Sequence, residues 1–554
     1  MTAAYYNCPN LTTAVCGPNV TNMDETYYKC TNITEAVCGD KVTSMDSTYY
    51  YCNSLTTAVC GDNVTNMHYT YGRCTNLTTA VCGPNVIRMG ATYADCTSLT
   101  TAVCGPNVKY MGGIYGSQGT YVNCINLTTA VCGDNVIEMS YTYENCYNLT
   151  TAACGPNVTH MSATYYNCQN LADAVCGPNV THMSNTYRVC RNLVNAVCGP
   201  NVKYMNDTYS HCNNKLVMAV CGDNVIRMIN TYTNCTNLTT AVCGPNVTGM
   251  LSTYDNCHSL KTAVCGENVT DMYFAYQNCY SLTTAVCGPN VTSMYGTYCN
   301  CSNLTTAVCG ENVTNLQRTY SKCTNITEAV CGDKVIDMTD AYSGCSNIKV
   351  PVIGPNVTSI SGTYKSCANL ETAICTDNIT TMHAAYQNCP KITTAVCGNK
   401  VNNFACAYEN CANLTTAVCG PNVQNFYAAY ANCPNLTTAV CGPNVTNLCG
   451  GWAANWGAYQ GCPNIRGNAY FYSSNINSVR NCFNGRNTSN MLNIYVRANT
   501  KSINTCLAAN VHSFTGATIT WTNDTTNNRY YNAAANIYIY PVANVEEVRI
   551  ANGD

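Results

Sequence analysis

Apolar residues return along most of this chain with a fixed spacing. The unit is first met at Asn10-Leu11-Thr12-Thr13-Ala14-Val15-Cys16-Gly17-Pro18-Asn19-Val20 and recurs, lightly edited, about twenty times. A second cysteine closes a Tyr-x-x-Cys segment in each unit, from Cys8 and Cys30 to Cys433; seventeen of the nineteen intervals between these cysteines are 22 residues long. One interval is 28, from an insertion around Gly112 to Gly119, and one is 23, from an extra residue near Lys215. A fixed period in this range marks stacked supersecondary units, each of which buries its apolar side against its neighbours.

Comparing columns shows what each position needs. The Leu11 column accepts Ile33, Ile326, Ile348 and Ile392, and the Met23 column accepts Leu316, Ile360, Phe404 and Phe426. These exchanges keep bulk and discard any particular atom. Leu, Ala, Cys, the Val of Asn-Val, Met and the Tyr of Thr-Tyr are therefore the predicted core of each coil. Alternation sends Ala14 and Cys16 to one face of an extended segment, and Thr13 and Val15 to the other. One parallel strand of about five residues per coil is expected, with Asn and Gly at the corners and amides stacked in ladders. The return from Met to Cys reads equally as a turn, a helical turn or a second extended piece. At a strand spacing of about 4.8 Å, nineteen coils predict a rod of roughly 90 Å.

The columns Leu11, Ala14, Cys16, Val20, Met23, Thr26-Tyr27 and Cys30 resemble the BspA-like class of leucine-rich repeats over residues 1 to 450. That family's coil runs Leu-x-x-Ile-x-Ile-Pro, Val-x-x-Ile, Ala-Phe-x-x-Cys. Ala, Cys, Met and Tyr replace its Ile and Phe here, and Gly-Pro falls one residue later than Ile-Pro, which implies thinner coils. The Asn-Leu-Thr-Thr-Ala-Val-Cys-Gly-Pro wording also looks like repeat proteins of bacteriophages found in gut-type metagenomes. The resemblances imply a leucine-rich-repeat solenoid over residues 1–449. Residues 450–554 follow as degenerate repeats ending in a mostly β cap or a recognition region.

Composition narrows the function. Charged residues make up 10% of the 554, and the net charge is −3. Nucleic-acid binding, which needs a basic stripe, is not expected. No transmembrane run or secretory signal is read, because Met1 to Cys8 already lies inside a repeat. The expectation is either cytoplasmic synthesis and assembly, as for virion parts, or a fragment lacking its start. Of 45 cysteines, 23 fall in the Tyr-x-x-Cys column, 19 in the Ala-Val-Cys column, and three (Cys299, Cys406, Cys449) in neither. One coil carries Ile353 yet keeps Cys345 and Cys367. Side-by-side sulfurs in register also have poor Cβ directions for bridging. The cysteines therefore read as reduced, buried filler. Alternate spacings of 8 and 14 do not suit zinc. His160 and His182, one period apart, read as a solvated stacked pair. No cofactor and no metal are expected.

No catalytic motif occurs, and the sparse acids (Asp24, Glu25, Asp46, Glu138, Glu144) sit at changing phases; an enzyme is not expected. Two kinds of surface remain. In the tail, Trp452, Trp456, Tyr470, Tyr472, Trp521, Arg529 and Tyr530 could stack on sugars, or simply belong to a cap over the solenoid's last edge. Tyr470-Phe471-Tyr472, Leu492 to Val496, Ile519 to Trp521 and Ile537 to Tyr540 read there as strands. Along the coils, Val15, Val37, Val59, Val81 and Val103 begin a stripe interrupted only by Ala153 and Ile374. The stripe is either a stacking ladder or a lateral interface between chains. The expected role is a structural and attachment protein, a phage fibre or surface appendage facing host glycan or protein. The expected partners also include other copies or virion proteins at the N-terminal edge, and the expected setting is virion or extracellular. The alternatives are a secreted BspA-like adhesin and a filament that stacks end to end.

Overall fold

The computed structural model describes residues 1–113, 118–448, 457–476, 482–498, 500 and 521–554. They form two compact units, Met1–Leu282 and Thr283–Asp554.

In the first unit the coils after the first repeat one packing scheme. Leu171, Val180, Met183, Tyr187 and Cys190 are fully buried and Ala174 nearly so, which is the predicted core. The cysteine of Ala-Val-Cys is only half-buried. Thr186, which the pattern did not mark as core, is buried too. Its hydroxyl lies 2.7 Å from the carbonyls of both Met183 and, one coil back, Met161. Parallel rings of the core tyrosines run from Tyr5 to Tyr276 with centroids 5.3–5.7 Å apart.

The expected five-residue strand is not formed in these coils. Single parallel bridges stand in its place, as at Thr129↔Thr151 and Asp173↔Asn195. The reason lies in the core tyrosine. An extended residue points its N–H and C=O to the same side, where a ladder partner would normally take both. Here the Val175 N–H donates to the Tyr187 hydroxyl at 2.8 Å, and that hydroxyl donates to the Val175 carbonyl at 2.6 Å. Val131 and Tyr143 repeat the clamp at 2.9 and 2.7 Å. A phenol from the same coil thus replaces the neighbouring strand.

The return segment is a run of turns bonded forward to the next coil. Asn185, Tyr187 and Val189 donate their N–H groups to Asn206, Thr208 and Ser210 at 2.8–2.9 Å, while Thr186, Arg188 and Cys190 donate back three residues. Two positions per return have positive φ, as at Tyr141 (62°) and Asn145 (59°). Asn is among the few non-glycine residues that enter this region readily. The frequent asparagine before the closing cysteine is thereby explained, and it is here that amides form a true ladder: Asn167 donates to Asn145 at 2.8 Å and Asn145 to Asn123 at 2.9 Å. The asparagine of Gly-Pro-Asn-Val does something else. Its amide donates to a carbonyl of the preceding coil, as Asn201 does to Pro178 at 2.9 Å.

Glycine at the corner is likewise required by close approach rather than by turn geometry. A Cβ at Gly199 would lie 2.7 Å from the Cys176 sulfur and 3.0 Å from the Gly177 oxygen. The chain replaces this glycine once in its repeats, by Thr376, and the coil before it is the one with Ile353 in place of the thiol-bearing residue. Gly199→Ala is expected to destabilise the stack by about 1–3 kcal/mol through overpacking. Combining it with Cys176→Ala should recover most of that loss in denaturant unfolding.

The second unit continues the scheme from Tyr298 to Tyr459 and ends its ring stack on Phe483 at 5.6 Å. Its last residues build a six-stranded sheet from β1 (Val440–Cys441), β2 (Gly467–Phe471), β3 (Leu492–Arg497), β4 (Thr522–Asp524), β5 (Arg529–Asn532) and β6 (Ile537–Val542), in the order β1-β2-β3-β6-β5-β4. The pairings from β1 to β6 are parallel, and those of β6 with β5 and of β5 with β4 antiparallel. Because β1 belongs to a repeat, the terminal sheet grows directly from a coil. Strands were expected over the residues of β2, β3 and β6. The expected Ile519–Trp521 strand lies largely outside the described residues, and β5 and the short helix α1 (Val545–Ala551) were not foreseen.

Candidate functional site

Among the described residues, the tail positions expected to stack on sugars do not all share one face. Trp452 and Trp456 lie outside the described residues. Tyr470 is buried; its hydroxyl donates to the Asp554 carboxylate at 2.5 Å and accepts from the Asn552 amide at 2.9 Å. Tyr472 donates to Glu546 at 2.6 Å. Burial, reinforced by that carboxylate, pushes its phenol up to about 12. Arg549 and Tyr472 in turn hold Glu546 at about 2. These two tyrosines fasten α1 and the following residues to β2. Arg529 pairs with Asp524 at 2.9 Å and lies over the Tyr538 ring at 4.9 Å. Tyr530 pairs with Ile539, whereas Arg529 lies one residue before it and so falls on the opposite face by alternation. Trp521 is half-buried just before β4. Across β2, β3 and β6, Tyr470, Tyr495 and Tyr540 stack at 5.4 and 5.2 Å, so the sheet's aromatic rings face each other.

The valine stripe is half-buried at Val37, Val59, Val81 and Val103, and Val15 is 54% exposed. Its backbone is spoken for by the tyrosine clamp, which leaves only methyl groups outward. Both cysteine columns have local partners. Cys190 lies with its sulfur 3.0 Å from the Tyr165 carbonyl of the preceding coil, and Cys176 sits 3.6 Å from the Met183 sulfur. Among the described residues no group of His, Cys, Asp and Glu is placed to hold a metal ion. Burial pushes the Cys74 and Cys190 thiols up to about 12. The thiolate is the nucleophile. Iodoacetamide at pH 8 is therefore expected to modify exposed Cys8 within minutes and to leave Cys74 and Cys190 untouched until the chain is unfolded. Peptide mass mapping reads the difference.

The coils themselves carry a long polar groove. Asn135, Asn157, Asn179 and Asn201 line one side, and Ile137, Thr159 and Thr181 the other, with Lys109 and Lys203 at its two ends and a volume of about 580 Å³. Each of these amides spends its N–H on the coil before, at 2.8–2.9 Å, so the oxygens are left as acceptors. Where Lys replaces the asparagine, its ammonium donates to that oxygen one coil back, as Lys41 does to Asn19 at 2.7 Å. Beside the groove His160 and His182 stack at 4.6 Å, as their spacing predicts, with Glu138 3.8 Å from His160.

The family of BspA type leucine-rich repeat regions, a unit of six copies, matches residues 2–115, 117–217, 227–349 and 336–466. The chain belongs to the BspA-type leucine-rich repeat family. Solved structures that the chain aligns with include a leucine-rich repeat protein from Bacteroides ovatus, at 15% identity over 63% of this chain and 80% of that one, with a TM-score of 0.44. A leucine-rich cell surface protein from Faecalibacterium prausnitzii aligns at 16% identity over 51% and 75%, with a TM-score of 0.30. The functional domain of InlJ from Listeria monocytogenes, which includes a cysteine ladder, aligns at 12% over 90% of each chain, with a TM-score of 0.20. No match is found among curated proteins. Two contacts recur through this chain's coils, the phenol clamp and the glycine seated on a thiol.

Proposed function

We propose that this chain is a non-enzymatic attachment protein whose coils present a binding surface to host glycan or protein. The observation that carries the reading is the groove from Lys109 to Lys203. It is a row of amide oxygens and threonine hydroxyls repeated at the coil spacing of about 4.8 Å, which matches an extended polar ligand better than a compact one. Family membership supports display at a surface, and no helix among the described residues is long and apolar enough to cross a membrane. The finer reading, a fibre or appendage of a phage virion, rests on the wording of the repeat. A bacterial surface adhesin is the alternative, and labelling with antibody on purified particles and on host cells separates the two. Self-association through the valine stripe belongs to the same reading, and the native mass in solution tests it. The decisive experiment is a glycan array probed with the whole chain. Binding that weakens when Lys109 and Lys203 are both changed to Gln is expected; no binding to any glycan or host-cell surface would overturn the role.

A further inference from the structure

Two successive coils depart from the pattern at a single column. The position after the core Met or its equivalent carries Asp24, Asp46 and His68 before the departure and Ser140, Ser162 and Ser184 after it, but Gly90 and Gly112 in between. Removing two neighbouring side chains opens a depression of about 360 Å³, lined by Asp46, Asn66, His68, Arg88, Gly90, Tyr110 and Gly112. That volume lies at the lower end of the range for small-molecule sites, about 300–1,000 Å³. Neither glycine has positive φ. A Cβ at Gly90 would lie 3.0 Å from both the His68 ring and the Gly112 carbonyl, and one at Gly112 2.8 Å from the Ser140 carbonyl, so the two glycines also let neighbouring coils approach closely while leaving the floor of the depression without side chains.

The groups around this depression are arranged and only partly used. Arg88 lies with its guanidinium 4.9 Å above the Tyr110 ring and makes no ion pair among the described residues. A guanidinium steadied on an aromatic face leaves its forked N–H edge free, and that edge fits a carboxylate. In the same lining, Asp46 accepts from Ser47 at 2.8 Å and lies 3.5 Å from His68 Nδ1. A carboxylate has about four acceptor positions, so it retains capacity for a ligand hydroxyl. The His68 ring is held edge-on by Tyr69 at 4.4 Å, and its Nε2 is buried with no hydrogen-bond partner. A buried polar atom left unsatisfied is costly, and a ligand hydroxyl at the wall of the depression would remove that cost. The other nearby acid, Glu138 beyond Gly112, is already engaged by the Ser140 N–H at 2.8 Å.

We propose that this depression is a binding site for a sugar acid, in which Arg88 takes the carboxylate and Asp46, Asn66 and His68 take the adjacent hydroxyls. The inference rests on the attachment reading and names a ligand class for one place on the coils. A uronic acid unit within a polysaccharide and a free sugar acid share this chemistry, and the test separates them. The whole chain is titrated with glucuronate, with its methyl glycoside (whose blocked anomeric carbon mimics a chain unit) and with glucose, at constant ionic strength, by saturation-transfer NMR and calorimetry. Glucuronate is expected to bind saturably and at least tenfold more tightly than glucose. Equal binding of the methyl glycoside points to a polysaccharide, and its rejection to a free sugar acid. Arg88→Gln, at an exposed side chain, should weaken glucuronate at least tenfold with an unchanged melting profile. Gly90→Ala, whose Cβ would press on the Gly112 carbonyl and the His68 ring, should lower both the melting temperature and the glucuronate affinity, and Gly249→Ala, where a Cβ meets nothing within 4 Å, should change neither. No saturable binding, equal affinity for glucose, or full affinity in Arg88→Gln would overturn the proposal. Glycan-array binding that survives Arg88→Gln would leave the attachment role standing without this site. Glucuronate binding with a blank array would leave the site standing without the role.

Discussion

Changing Tyr187 to Phe will destabilise its coil by about 2–4 kcal/mol, although only one oxygen is removed. The ring stack on Tyr165 and Tyr209, at 5.5 and 5.6 Å, survives the change. What is lost is the hydroxyl that accepts the Val175 N–H and donates to the Val175 carbonyl. Each backbone group left unpaired costs about 1–3 kcal/mol, reduced here because Val175 is only half-buried and water reaches part of it. Tyr280, which is 43% exposed, provides the contrast: its change to Phe should stay within about 0.5 kcal/mol. Since a repeat stack yields locally, amide exchange at Val175 and its neighbours is the direct measurement, with the urea midpoint as support. Equal protection in the two variants would mean that the phenol is not the strand's partner.

Raising the pH should unfold the coils between about pH 9 and 12. Ordinary thiols lose their proton near 9, whereas burial pushes Cys74, Cys190 and Cys235 up to about 12. The folded state therefore holds protons that the unfolded chain has released. Their contribution is complete below pH 9 and is withdrawn as pH climbs toward 12, at about 1.4 kcal/mol per pH unit for each such group. Burial raises the core phenols in the same direction. Because rung after rung shares the shift, the losses add, and the transition should be steep. Circular dichroism under argon with reductant checks it. A signal unchanged at pH 12 would show that the thiols are not neutral filler.

How far the residues announced this structure depends on what each column does. Leu11, Val20 and Met23 are legible because bulk is all that their columns keep within the chain, whereas the Tyr27 column reads as bulk although it also keeps its hydroxyl. Thr186 is not legible, because a hydroxyl reads as a surface group until a carbonyl of another coil is found beside it. The corner glycine was assigned to a turn; its pairing with a thiol one coil away shows only in space, although Ile353 followed by Thr376 was a visible hint. The strand was over-read from Leu-Thr-Thr-Ala-Val-Cys, since nothing in that segment reveals that a tyrosine 12 residues on takes its hydrogen bonds. In the tail, aromatic content located β2, β3 and β6. It does not reveal that the hydroxyls of Tyr470 and Tyr472, offered there as rings for stacking on sugars, bond Asp554 and Glu546. The Gly90–Gly112 depression could have been found by asking where the column after Met loses its side chain twice running.

The phenol clamp also survives two lengthened coils. Val103 bonds Tyr121 at 2.8 Å across 18 residues, and Val440 bonds Tyr459 at 2.8 Å across 19, against 12 elsewhere. In each case the extra residues enter between the core Met or Leu and the residue before the clamping Tyr, where Thr120 still donates to Met111 and Ala458 to Leu448 at 2.9 Å. That corner is thus a splice point: foreign sequence can be grafted there without loosening the grip that closes the coil, and an array of otherwise interchangeable layers can acquire an individual feature one layer at a time.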